Sequence, residues 1–253
     1  MSGDAISLPQ GYRLKYFDEL DSTNAEALRL ATSGEPGGLW IQAGSQLRGR
    51  GRLGRSWDTL SGNLFCSLLL RPSSPPDAVP QLGFVAGIAL HDAIRSHAGD
   101  TSQALLKLKW PNDLLINARK AGGILLESHI QQDGKIAVVA GIGLNVQNHP
   151  VTTGLEATSL ENEGIPATAN SALDCLAKAF SAWYQDWNNS AGFPSIREAW
   201  LNRALDVGTL MSVKQPNGTI KGSFSGLDKH GALILLTKTG EKKHITAGDV
   251  FPL

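Results

Sequence analysis

At 253 residues, with 42% apolar and 18% charged residues, the chain can bury a substantial core without metal or disulfide support, which argues against a disordered protein. Basic and acidic residues balance at 23 each, so the formal net charge is zero and a wholly basic, nucleic-acid-coating surface is not expected. Two cysteines without a CxxC pair, no signal-peptide pattern and no apolar run of about 18 residues predict a cytoplasmic protein with no membrane span.

In chain order, "DSTNAEALRLATSGEPGG" predicts a helix opened by a Thr23–Glu26 capping box and stopped by Gly34, Pro36 and the Gly37-Gly38 pair. "LWIQAGSQ" reads as a strand running into a segment rich in arginine and glycine, and "NLFCSLLLR" as a second strand ended by "PSSPPD". Val85, Ile88 and Ala89 mark one face of a helix in "GFVAGIALHDAIRSHAGD". "ALLKLKW", "DLLIN", "AGGILLESHI" and "KIAVVAGIGLNV" are four β-type runs. In "NSALDCLAKAFSAWYQDWNN", Leu173, Leu176, Ala177, Phe180, Trp183, Tyr184 and Trp187 form an amphipathic stripe best read as core packing. Cys66 and Cys175 both read as buried apolar fillers. From about residue 205, short strands alternate with Gly, Asn-Gly, Asp-Lys-His-Gly and Thr-Gly turns, predicting a small β-barrel (205–253) appended to an α+β domain (1–204).

Three segments carry chemistry. The run "RGRGRLGR" (48–55) holds four arginines and three glycines. Its glycines let backbone N–H groups approach a ligand, while Arg50, Arg52 and Arg55 offer forked donors for carboxylate or phosphate. Trp57 adds a flat face for a ring. A solvated loop and an RGG-like nucleic-acid segment are the alternatives, the second weakened because the run is short and lies between two strands. In "KWPNDLLINARKAGG", the Asn112 amide can read a base edge, and Asp113 can hold Mg²⁺ through water, orient an amine or simply close a turn. Lys120 beside Gly122 and Gly123 can reach into a pocket or stay solvated. "GIGLNV" lacks the third glycine of a dinucleotide fingerprint.

Taken together, "STN" (22–24), "GRGRLGRSW" (49–57), "KWPNDLL" (109–115), "KAGGILLE" (120–127) and "GIGLNV" (141–146) closely resemble the biotin–protein ligases, as does the ending "GTIKGSFSGLDKHGALIL". The resemblance implies an α+β fold: a mixed β-sheet flanked by helices, like the catalytic domain of class II aminoacyl-tRNA synthetases, plus an SH3-like barrel. It also implies two reactions, formation of biotinyl-5′-AMP and pyrophosphate from biotin and ATP with Mg²⁺, then transfer to one lysine of a biotin carboxyl carrier protein. By resemblance, Ser22, Thr23, Asn24, Gln46, Arg50, Gly51, Arg52 and Lys120 would hold biotin. Arg52, Arg55, Trp57, Asn112 and Asn145 would hold the nucleotide. Arg50, Arg52, Lys120 and Asp113 are the catalytic candidates, and Asp113 through water is the one metal candidate. Leu47 and Arg48 depart from the family's usual residues. Only 21 residues precede Ser22, so a DNA-binding repressor domain, and with it a nucleic-acid partner, is not expected. An exposed strand of the catalytic sheet could pair in a homodimer, a point on which relatives vary. The rival readings are a lipoate or octanoate ligase or transferase of the same fold and, more remotely, a nucleic-acid binder.

Overall fold

A computed structural model describes residues 5–99, 105–130, 134–151, 156–215 and 218–253. Its larger sheet has seven strands in the order β1-β2-β3-β7-β6-β5-β4. These are β1 (Arg13–Leu20), β2 (Leu39–Gln46), β3 (Leu64–Leu70), β4 (Leu106–Lys109), β5 (Asp113–Ile116), β6 (Arg119–Ile130) and β7 (Ile136–Leu144). All pairings are antiparallel except β1 with β2. Strand β3 is buried along its whole length and β7 almost so, as their apolar composition requires of central strands covered on both faces.

Residue alternation sorts the two faces. Leu64, Cys66, Leu68 and Leu70 of β3 join Val138, Ile142 and Leu144 of β7 in the main core, under α2 (Gln81–Ala98) and α3 (Ala169–Trp187). Leu69, Ala137 and Val139 point the other way, against Ala27 and Ala31 of α1 (Thr23–Thr32). Helix α1 has only 10 residues and covers one end of that second face. The remainder of the face, with Ser67, Gly141 and Gly143, is left as the floor of a cleft.

The α3 stripe packs as expected, with Phe180 fully buried, edge-on to Trp40 at 6.0 Å and stacked on Tyr184 at 5.8 Å. Phe180→Ala should lower unfolding stability by about 3–5 kcal/mol, read as a reduced urea midpoint at unchanged m-value. Helix α4 (Phe193–Leu201), opened by a proline in its first turn, brings Trp200 against Phe84 at 5.6 Å. Strands β8 (Leu210–Gln215), β9 (Gly218–Leu227), β10 (Leu233–Leu236), β11 (Lys242–Ile245) and β12 (Asp249–Pro252) form a separate five-stranded sheet in the order β11-β10-β9-β8-β12, its neighbours all antiparallel. Its core is continuous with the main one, and the Trp110 indole donates to the Gly231 carbonyl at 3.1 Å.

Four local expectations are corrected or fall outside the described residues. The N-cap of α1 is Ser22, not Thr23, and no side chain caps the helix; the Thr23 hydroxyl is drawn toward Ser67 and Gln46 instead. Cys66 is buried, and burial pushes its thiol pKa up, but Cys175 is only partly buried. Strand β1 and helix α4 add elements the sequence patterns did not announce. The Asn-Gly turn at 217–218 includes residue 217, which lies outside the described residues. Among the described residues no helix is long and apolar enough to cross a membrane.

Candidate active site

The cleft, about 220 Å³, opens over the glycine-bearing part of the sheet and is roofed by the arginine loop between β2 and β3. Its floor is flat because β7 carries glycines where side chains would stand. A Cβ on Gly143 would lie 2.5 Å from the Trp57 ring, and one on Gly141 would lie 2.0 Å from Asn24 Oδ1. Trp57 therefore lies across Gly143 and its register partner Gly123. Its indole N–H is buried with no hydrogen-bond partner among the described residues.

One end of the cleft is a neutral polar network. The Ser67 hydroxyl donates to Thr23 Oγ1 at 2.7 Å or Asn24 Oδ1 at 2.6 Å. Gln46 Oε1 accepts the Thr23 backbone N–H at 2.8 Å, and Asn24 Nδ2 donates to Glu127 at 2.8 Å. Ser22, Thr23 and Asn24 are all buried at the start of α1. Uncharged donors and acceptors held this way suit a neutral polar ring.

The other end is cationic. Asp113, buried at the start of β5, sits between Lys120 Nζ at 2.6 Å and Lys109 Nζ at 2.8 Å. Burial would raise the Asp113 carboxyl, but the two ammonium groups outweigh it and hold the group below the usual carboxylate range. One carboxylate between two ammonium groups leaves a net positive charge, an arrangement that favours an incoming anion. Lys120 also lies 5.5 Å from the Trp57 ring centre. The sequence reading passed over Lys109, whose ammonium also donates to the Val250 carbonyl at 2.9 Å. Its only sequence signal was its place four residues before Asp113.

Three of the four arginines in the loop line the cleft, and Arg48 does not. Arg50 pairs with Glu127 at 2.9 Å, Arg55 with Asp249 at 2.5 Å, and Arg52 donates to Asn112 Oδ1 at 3.3 Å. Burial draws the Arg52 guanidinium below its ordinary pKa, against Asp249 and Asp113. The loop turns tightly: Gly51 N–H donates to the Arg55 carbonyl at 2.7 Å, and the Trp57 N–H to that of Gly49 at 2.9 Å. Asn112 lines the cleft, yet its amide N–H is taken by the Ile124 carbonyl at 2.8 Å.

Two site candidates have partners that the sequence did not announce. Asn145, buried just past the end of β7, has its amide on the Thr158 carbonyl at 3.0 Å. Asp113 does not fit a metal, because its two oxygens face two ammonium groups. No cluster of three or more metal-ligating side chains occurs among the described residues.

A second hollow of about 700 Å³ adjoins the first through Arg52, Pro111 and Asn112. It lies between the start of α2 and the small sheet, with Asp77, Glu127 and Asp228 on its walls.

A mixed sheet whose cleft joins a neutral polar pocket to a cationic one is suited to an enzyme that brings an uncharged polar group and anionic groups together. Residues 16–145 match the biotin/lipoate A/B protein ligase family, and residues 212–251 match the biotin protein ligase C-terminal domain. The chain is 41% identical to a biotin–[acetyl-CoA-carboxylase] ligase of Paracoccus denitrificans, over 91% of this chain and 97% of that protein. It is 32% identical to the enzyme of the same name from Mycobacterium tuberculosis, over 98% and 92%. The solved biotin protein ligase of Aquifex aeolicus in complex with biotin and ATP superposes with a TM-score of 0.79 at 27% identity, covering 95% of this chain and 99% of that one. The chain belongs to the biotin/lipoate A/B protein ligase family.

Proposed function

We propose that this cleft activates biotin with ATP and passes the biotinyl group to a lysine of a biotin carboxyl carrier protein. The observation that carries the assignment of roles is the Lys109–Asp113–Lys120 array beside the Ser67–Thr23–Asn24 network. Ser22, Thr23, Asn24 and Gln46 would hold the neutral ureido ring at the uncharged end, with Gly51 and the surrounding loop closing over it. The biotin carboxylate would then point at Lys120, Arg50 and Arg52.

In the first step a carboxylate oxygen attacks the α-phosphorus, and the bond to the pyrophosphate oxygen breaks. Both reactants are anions, so the barrier is largely electrostatic, and preorganised cations lower it without having to reorganise. Lys120 and Arg52 take the α-phosphate region, and Arg55 takes the leaving phosphates. The unpaired Trp57 N–H is a donor for the bound adenylate. In the second step the acceptor amine attacks the acyl carbon, releases AMP and loses a proton. No enzyme nucleophile is required, and Asp113, held charged by two lysines, serves to fix Lys120. Mg²⁺ would enter on the ATP phosphates, because both carboxylates lining the cleft, Asp113 and Asp249, already face cations. The adjoining hollow, with its three carboxylates, suits entry of the acceptor lysine.

Biotin-dependent ATP–pyrophosphate exchange tests the reading. Exchange with biotin and none with lipoate is expected, and exchange with lipoate alone would overturn it. Biotin plus ATP should also protect residues 48–55 from proteolysis, since a glycine-rich arginine segment orders further when anions fill it. Equal cleavage with and without both substrates would contradict loop closure.

A further inference from the structure

Lys120 has both backbone groups fixed from outside its own hairpin. Its N–H donates to the Glu156 carbonyl at 2.8 Å, and its carbonyl accepts the Thr158 N–H at 2.9 Å. The segment around Ala157 thus runs parallel to the start of β6 as a one-bridge ladder. On the other side, the β5–β6 register shifts between Leu114 and Leu115, next to the Leu115–Lys120 pair. β5 alone therefore holds Lys120 in an irregular stretch of sheet, and the 156–158 segment supplies the missing restraint.

What holds that segment is Glu163. Its side chain is 4% exposed and accepts from Arg119 Nη2 at 2.5 Å, Asn117 Nδ2 at 2.6 Å and the Thr158 hydroxyl. These donors lie on both sides of Lys120: Asn117 and Arg119 in the β5–β6 turn, Thr158 in the segment that pairs with it. Asn117 is in the left-handed region with φ 51°, as is Ala118 with φ 64°, so the turn itself is a demanding conformation. Burial would raise the Glu163 carboxyl, but the Thr158 and Asn117 hydrogen bonds, with Arg119 nearby, hold it below the usual range. It is therefore charged throughout neutral pH.

We infer that Glu163 is a positioning residue for Lys120: one buried carboxylate ties the β5–β6 turn to the 156–158 segment and so fixes where the Lys120 ammonium stands. This rests on the reading that Lys120 assists adenylation. Glu163 touches neither substrate nor reacting atoms, and its effect passes through backbone bonds. Small misplacements of a charged group relative to its target are enough to slow an electrostatically assisted step.

The test is a double-mutant cycle on pyrophosphate exchange with the full chain. Glu163→Ala should lower kcat about fivefold to twentyfold while the KM for biotin stays within about twofold. Glu163→Gln keeps one carbonyl acceptor, enough for Thr158 or for Asn117 but not for both, and should recover only part of that loss. In a Lys120→Ala background, Glu163→Ala should change the residual rate by less than about twofold, because its route to the reaction is gone. The same fold-loss in both backgrounds would overturn the inference. A normal rate for Lys120→Ala alone would instead strike the underlying reading. Should Glu163→Ala fail to fold, Asn117→Ala and Thr158→Val each remove one donor and face the same comparison.

Discussion

Lys120→Ala is expected to lower the rate of biotin-dependent pyrophosphate exchange by about 10²- to 10³-fold, with a much smaller change in biotin affinity. The ammonium is 2.6 Å from Asp113 and the Lys120 side chain, 28% exposed, lines the cleft. On the proposed reading, its removal takes away a fixed charge where the carboxylate and the phosphate meet. The same reading gives the neutral ring to Thr23, Asn24 and Gln46 at the other end of the cleft. Equilibrium biotin binding followed by single-turnover adenylation separates the two. A proportional loss in both would mean that Lys120 holds the ground state, not the transition state. Arginine at 120 should rescue poorly. A planar guanidinium cannot take the place of a compact ammonium against Asp113 without displacing Lys109 or Trp57.

Gly143→Ala is expected to reduce kcat/KM by about tenfold to a hundredfold at little cost in folding. The added methyl would lie 2.5 Å from the Trp57 indole, so the ring must lift into the volume a ligand needs. Trp57 fluorescence should change in the free protein, and the KM values for biotin and ATP should rise more than kcat falls. If Gly143→Ala binds both substrates normally, the indole does not form part of the binding floor.

Much of this was legible before any coordinates. Strands β4 to β7 announced themselves as apolar runs, even β4, which closes the sheet yet is mostly buried, and the stripe of α3 because amphipathic helices repeat at a fixed period. Strand β1 was not legible: "RLKYFDEL" lies at the sheet edge, largely exposed, and carries no run of apolar residues to report it. The Thr23–Glu26 pattern matched a capping box, yet packing against Ser67 and Gln46 recruited the Thr23 hydroxyl elsewhere and moved the helix start by one residue. At the site, spacing and residue type identified Arg50, Arg52, Arg55, Asn112, Asp113 and Lys120 as candidates, and all line one cleft. Partnership was beyond reach. That Asp113 would be locked between two lysines, or that Asn145 would turn to Thr158, depends on which strands become neighbours and in what register.

The arginine loop and Lys109 are each joined to the small sheet, and those joints span long stretches of chain. Arg55 and Asp249 are 194 residues apart in sequence, and Lys109 reaches Val250 across 141. Contacts of such separation close late, because the loop entropy they cost is repaid only once the intervening elements have packed. These two joints are therefore among the last contacts of the molecule to form. A chain that has built the large sheet but not β12 already has Lys109, Asp113 and Lys120 together, and lacks only the partners that β12 gives Arg55 and Lys109.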